Sequence, residues 1–197
     1  VLDDAELIRR SIDAPDLFEE IFERHYDALL RYGRQRAGHD VGEEIAARTM
    51  VIAFDRRASF DGRIRSARPW LYGIATNLIR HHARDERVHI AAVARLPIDP
   101  DLDDEDTLDR LEAERWRPQL LDALLELAPG DRDAFTLMAL SGLSYAEVAS
   151  ALGIAEGTAG SRIHRARHHL REVMRAAEAS TGGGDAGPSD HSKEDDD

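Results

Sequence analysis

Thr158, Arg162, Arg165 and His169 recur at intervals of four, three and four, the spacing that gathers side chains on one side of a helix. Guanidinium groups in such a row bond to phosphate oxygens or fork onto the edge of a guanine. A helix N-terminus just ahead of them adds unpaired N–H groups that favour an anion. The opposite side reads Ala159, Ile163, Ala166, Leu170 and Val173, an apolar stripe fit for a core. Upstream, Ser144 and Glu147 have the spacing of a capping box. A helix started there would bury Tyr145, Val148, Ala149 and Leu152, with Gly153 as a left-handed turn residue and Ile154 plugging the angle. The run GLSYAEVASALGIAEGTAGSRIHRARHHLREVM thus reads as a helix-turn-helix whose second helix begins near Glu156. The competing reading is an Arg-rich helix that is merely solvated on an ordinary bundle.

A second set of cations surrounds the stretch RRASFDGRIRSARP, where Arg56, Arg57, Arg63, Arg65 and Arg68 flank the Asp61-Gly62 turn. Such a loop suits unpaired nucleic acid, with Phe60 available to stack a base or to anchor the loop. Trp70 and Tyr72 read as core or loop support. His81 and His82 have no companions at ligand spacing, so neither a metal nor another cofactor is expected, and no Asp, Glu, His or Ser set has a catalytic arrangement. The chain has no cysteine, which rules out disulfides and thiolate chemistry and suits the cytoplasm.

The elements that must hold these groups all read as helices. Phe18, Ile21, Phe22, Tyr26 and Leu29 form a stripe after Pro15, with Gly33 a weak stop before Gly38. A second helix is expected from about Val41 to Arg57, and a third from Pro69 through PWLYGIATNLIRHHARDER. Prolines and acids between Leu96 and Asp109 bury little and read as a linker; further helices follow from near Leu108, with a break at Pro129-Gly130. The expected architecture is all-α: two small helical domains, 1–95 and 113–178, joined by an acidic flexible linker at 96–112 and followed by a disordered acidic tail at 179–197. The formal net charge of -13 conceals this sorting. Residues 98–130 hold 11 acids against 3 arginines, whereas 160–175 hold 5 arginines and 1 acid, so basic patches remain for phosphate despite the sum.

Taken together, PWLYGIATNLIRHHAR in the front and LAPGDRDAFTLMALSGLSYAEVASALGIAEGTAGSRIHRARHHL behind it resemble bacterial RNA polymerase sigma factors of the extracytoplasmic-function group, built of regions 2 and 4. The resemblance covers about Leu17–Arg87 and Leu120–Val173. It implies a promoter-specificity subunit that opens DNA without covalent catalysis. Its expected partners are promoter DNA, the clamp helices and flap of core RNA polymerase, and an anti-sigma factor. Carried over by position, Glu43, Glu44, Arg48 and Phe54 belong to the polymerase-binding surface. Phe60, Arg63, Arg65, Asn77, Arg80 and Arg84 belong to -10 binding and melting, and Thr158, Ser161, Arg162 and Arg165 to the -35 element. The chain departs from the family pattern at Ala47-Arg48, where Gln-Glu is usual, at Met50, at His81, and at Gly160, where Lys is usual. Two other classes remain open on the residues alone: a self-sufficient helix-turn-helix regulator that dimerises on a palindrome, and an all-helical adaptor that touches only protein.

Overall fold

Each helix starts or stops where local chemistry tells it to. In the computed structural model, which describes residues 2–82 and 118–182, Asp3 accepts the Glu6 amide at 2.9 Å and so caps helix α1 (Asp4–Arg10). Glu6 in turn holds Arg9 and Arg10, while Leu7 and Ile8 enter the core. This helix was not expected from periodicity; its seven residues are too few for a stripe, and the cap was the only signal.

A 3-10 turn at Pro15–Phe18 leads into α2 (Glu19–Ala37). Gly33 does not stop α2; Gly38 does, at φ 83°, and α3 (His39–Arg56) follows at once. The two helices cross with backbone against backbone, since a Cβ on Gly33 would lie 2.6 Å from the Gly42 carbonyl oxygen. Ile21, Leu29, Tyr32, Ile45, Ala46 and Ala53 are buried between them and α4 (Arg68–His82). Phe22, expected on the buried stripe, is 44% exposed and stacks on Tyr26, because Phe18 and Ile21 take the inward places. On α4, Leu71, Ala75, Leu78 and Ile79 face inward. Tyr72 meets Tyr32 edge-on at 5.1 Å, and the buried Tyr32 hydroxyl pairs with Thr76 at 3.0 Å.

The back half comprises α5 (118–126), α6 (Pro129–Ser141), α7 (Tyr145–Leu152) and α8 (Glu156–Gly182). Arg132 is buried and donates to the carbonyls of Leu124, Leu125 and Leu127, so one cation satisfies the orphan acceptors at the end of α5. Gly142, at φ 65°, ends α6. The linker expected at 96–112, together with Arg84 and residues 183–197 of the tail, lies outside the described residues.

The sequence says nothing of how the halves meet, yet one apolar cluster runs through both. Gly73 of α4 lies against the backbone of α7, where a Cβ would be 2.6 Å from the Ala151 carbonyl oxygen. Arg36 of α2 donates to Asp133 at 2.7 Å and to Thr136 at 2.8 Å, all three side chains buried on the α6 side. Arg68 closes a third contact by donating to the Ser141 carbonyl.

Asp4 ties the front loop to this body. Its carboxylate accepts the Ala67 amide at 2.9 Å, His25 Nε2 at 2.9 Å and Arg24 at 3.0 Å, joining α1, α2 and the entry to α4. Burial pushes this acid up, but hydrogen bonds from His25, Ala67 and Arg24 and the charge of His25 outweigh it, leaving Asp4 at about 2. A carboxyl held below its ordinary 3.8 stabilises the fold above that value and loses the contribution as pH falls toward 2. Asp4→Asn should therefore lower stability by about 1–3 kcal/mol at neutral pH and flatten the acid limb of a stability profile followed by circular dichroism. An unchanged limb would refute the role. At the crossing, alanine in place of Gly33 gains about 1 kcal/mol in helix propensity but overpacks against backbone at a cost of about 1–3 kcal/mol or more. Gly33→Ala should thus lower the midpoint of urea unfolding rather than raise it.

Candidate nucleic-acid interface

The helix-turn-helix is built as its local signals require. Ser144 accepts the Glu147 amide, and Glu147 returns a carboxylate to the Ser144 amide at 2.9 Å, completing the capping box. Gly153 closes α7 at φ 63°, and the Ile154 amide donates back to the Ala149 carbonyl at 3.0 Å. The turn delivers the chain into α8 at Glu156, where Ala159, Ile163 and Ala166 are fully buried and Leu170 nearly so.

The opposite side of α8 does not present its residues equally. Thr158 and Ser161 are exposed, with the Ser161 hydroxyl donating to the Thr158 carbonyl. Arg162 is half-buried and lies across the start of α6; a Cβ on Gly130 would be 2.9 Å from its Nη1, so the missing side chain makes its room. Among the described residues Arg162 forms no hydrogen bond or ion pair. Arg165, by contrast, forks onto Asp131 at 2.9 and 2.7 Å. His169 lies 3.1 Å from Glu126. Tyr145, expected in the core, is 41% exposed; it covers the open space at Gly160, and its hydroxyl accepts from Arg167 at 3.2 Å. The first residue after a cap sits at the rim of the helix pair, which leaves a large ring outside.

In the front half the cations sort into anchors and free ends. Arg57 is an anchor: it donates to the carbonyls of Ser11 and Phe54 and lies 4.0 Å from the centre of the Phe54 ring. Arg68 is committed to Ser141. Arg65 is exposed and lies 3.8 Å from Asp3, while Arg63 forks onto Asp61. Those bonds from Arg63 hold Asp61 at about 2. Phe60 packs on Trp70 with ring centres 5.1 Å apart, which supports the anchoring reading over the stacking one. Between α1 and this loop lies a cleft of about 540 Å³, lined in part by Ile8, Arg57, Phe60, Gly62 and Arg65. The cleft was not foreseen, because its far wall is the unexpected α1.

On α4, Asn77 and Arg80 are exposed neighbours; Arg80 donates to Asn77 at 3.3 Å and to Asp133 of α6 at 2.7 Å. On α3, Glu44 and Arg48 pair at 3.1 Å on the surface, and Glu43 holds Arg34. Phe54 does not face outward with them; it is half-buried, edge-on to Phe18 at 5.4 Å. No group of acids and histidines fit to hold a metal occurs among the described residues, and none of their helices is long and apolar enough to cross a membrane.

Comparison with known proteins gives this geometry its setting. Residues 21–88 match the family model for Sigma-70 region 2, and residues 117–170 match that for Sigma-70, region 4. The RNA polymerase sigma factor CarQ of Myxococcus xanthus is 31% identical, over 82% of this chain and 91% of its own length. The ECF RNA polymerase sigma factor SigL of Mycobacterium tuberculosis is 30% identical, over 80% and 89%. Among solved structures, CnrH in complex with the cytosolic domain of CnrY superposes with a TM-score of 0.64 at 25% identity, covering 88% of this chain and 97% of that one. The fold is also that of RpoE from Bartonella quintana, solved with the anti-sigma factor NepR, at a TM-score of 0.57, 24% identity and coverage of 80% and 96%. The two matched regions fall on the two helical clusters just described, and the chain belongs to the extracytoplasmic-function group of the sigma-70 family of RNA polymerase sigma factors.

Proposed function

We propose that this promoter-specificity subunit grips its promoter at two points, with α8 in the major groove of the -35 element and the α1–loop cleft beside α4 at the -10 element. The observation that carries the reading is the start of α8. A capped helix pair delivers an unobstructed N-terminus, and beside it lies Arg162, an arginine with no hydrogen-bond or ion-pair partner among the described residues. Free N–H groups take a phosphate, and an unpaired guanidinium reaches a base edge or a neighbouring phosphate at no cost in broken ion pairs. Thr158 and Ser161 contribute short polar contacts, and Arg165 holds the backbone once released from Asp131.

At the -10 element the cleft between α1 and the loop is large enough for an unstacked base, with Arg63 and Arg65 supplying charge at its rim and Phe60 bracing the loop from inside. Asn77 and Arg80 extend the same surface along α4, and Arg84 would continue it. The exposed Glu44 and Arg48, with the half-buried Glu43 beside them, form the surface offered to the polymerase clamp, with Phe54 supporting that helix from beneath. Region 4 meets the flap. An anti-sigma partner is proposed by analogy with RpoE of Bartonella quintana, which was solved with the anti-sigma factor NepR. We read the two units as 1–95 and 113–178, a division supported by the matched regions at 21–88 and 117–170, and their location as the cytoplasm, where the polymerase works.

Run-off transcription with core polymerase on genomic fragments should yield defined start sites, and failure to bind core polymerase at low and moderate salt would sink the reading. Removing an arginine that reads a base edge costs about 1–3 kcal/mol. Arg162→Ala should accordingly cut promoter use roughly tenfold while leaving affinity for core polymerase intact. Equal loss in both would argue against groove insertion.

A further inference from the structure

The loop assigned above to the -10 element is gripped near both ends by one short helix. At its far end the buried Ala67 amide donates to the Asp4 carboxylate at 2.9 Å, and the Ala5 amide donates to the Arg65 carbonyl at 3.3 Å. At its near end Arg57 Nε donates to the carbonyl of Ser11 at 3.1 Å, one residue past the end of α1. Asp4 and Ser11 stand seven positions apart, which along a helix is about 10 Å. We propose that α1 is a strut for the strand-opening loop. It holds 57–67 at two points a fixed distance apart, so that the cleft has the shape for an unpaired strand before DNA arrives. Asp4 and Arg57, which make the two grips, are positioning residues for promoter opening.

Asp4 is placed to act through the backbone it holds. It is not among the residues that line the cleft, its side chain is 10% exposed, and both oxygens are engaged, one by Arg24 and the other by His25 and Ala67. Arg24 and His25 belong to α2, so the strut is tied to the bundle and does not travel with the loop. At the other end Ser11 is fully buried, and its hydroxyl donates to the Ile8 carbonyl at 2.7 Å, which fixes the carbonyl that Arg57 reaches. Arg57 also donates to the Phe54 carbonyl, joining that end of α1 to α3. Between the grips the Ile64 amide closes the turn on the Asp61 carbonyl at 2.9 Å, and Phe60 rests on Trp70. The ends of an unrestrained flexible segment of about ten residues lie roughly 17 Å apart, spread over many shapes. Folding against α1 selects one of them, and binding a strand then carries less of the ordering cost.

The role given to α1 rests on the two-point reading, and two measurements separate them. Hydrogen exchange of the free protein reads the strut without DNA. Asp4→Asn and Arg57→Gln should each raise exchange across 57–67 about tenfold while the α2–α3 core keeps its protection. Holoenzyme assembled with core polymerase is then titrated with a mixed-sequence single strand of about fifteen nucleotides and with a mixed-sequence duplex. Each variant should weaken single-strand binding roughly tenfold and leave duplex binding unchanged, a split that a general loss of stability does not produce. A strut needs both grips, so the double variant should bind the single strand about as well as the weaker of the two single variants. Arg10→Ala, on α1 but outside the cleft, should change neither readout. Arg57→Gln keeps the test open should Asp4→Asn lose its helical signal. Exchange unmoved by both variants overturns the strut. Raised exchange with unchanged single-strand affinity, or losses that add in full in the double variant, overturns the positioning role. Absence of defined start sites in run-off transcription overturns the two-point reading instead, and the exchange measurement stands apart from it.

Discussion

A single buried carboxylate organises the meeting of the two halves. Asp133 comes from the second turn of α6, its partners Arg36 and Arg80 from the ends of α2 and α4; Arg36 and Asp133 are buried and each needs the other to be tolerated there, while Arg80 closes the pair from the exposed side. The reason is cost. A charge withdrawn from water carries a penalty of several kcal/mol, and stripping one partner from a buried pair costs about 3–5 kcal/mol, yet the intact pair adds little net stability. Such a site therefore contributes less to how firmly the protein folds than to which arrangement it folds into. The helix ends that carry these groups are fixed by it, and with them the faces proposed to meet DNA.

Around that point the packing relies on places where side chains are missing. Gly33 lets α2 and α3 touch through their backbones, Gly73 does the same for α4 and α7, and Gly130 makes room for the Arg162 guanidinium. Positive charge is used inside the protein as well as on its surface. Arg132 ends α5, Arg57 ties the front loop to α1 and α3, and Arg68 joins the halves. A count of arginines thus overstates what is available to phosphate. What matters is which guanidinium groups the fold has already used.

The division between what the chain makes legible and what it does not follows the range of the interactions. The helix-turn-helix is written in contacts three to five residues long: a capping box at Ser144 and Glu147, a left-handed Gly153, and an apolar stripe on α8. Each of these was expected and each is present. The Arg36–Asp133 pair spans 97 positions, and no periodicity announces it. Helix α1 went unseen for the opposite reason, being too short for a stripe, and with it the cleft that it walls. Tyr145, Phe22 and Phe54 mark another limit. Spacing places a residue on a helix, but a ring at the edge of a stripe turns inward or outward according to neighbours that belong to other elements. The same limit separated Arg162 from Arg165: both lie on one side of α8, and only the fold shows that one is spoken for.

The crossing at Gly33 and Gly42 has a mechanical meaning as well. Side chains between helices act as cushions, because rotamers shift and take up small displacements before the backbone feels them. Here there is no cushion, and carbonyl rests against Cα. At that point helices α2 and α3 cannot shift relative to one another without moving backbone, with Arg36 one turn beyond Gly33 and the exposed row of Glu44 and Arg48 just past Gly42. A push on that edge is therefore passed on at the crossing by backbone rather than absorbed by a change of rotamer.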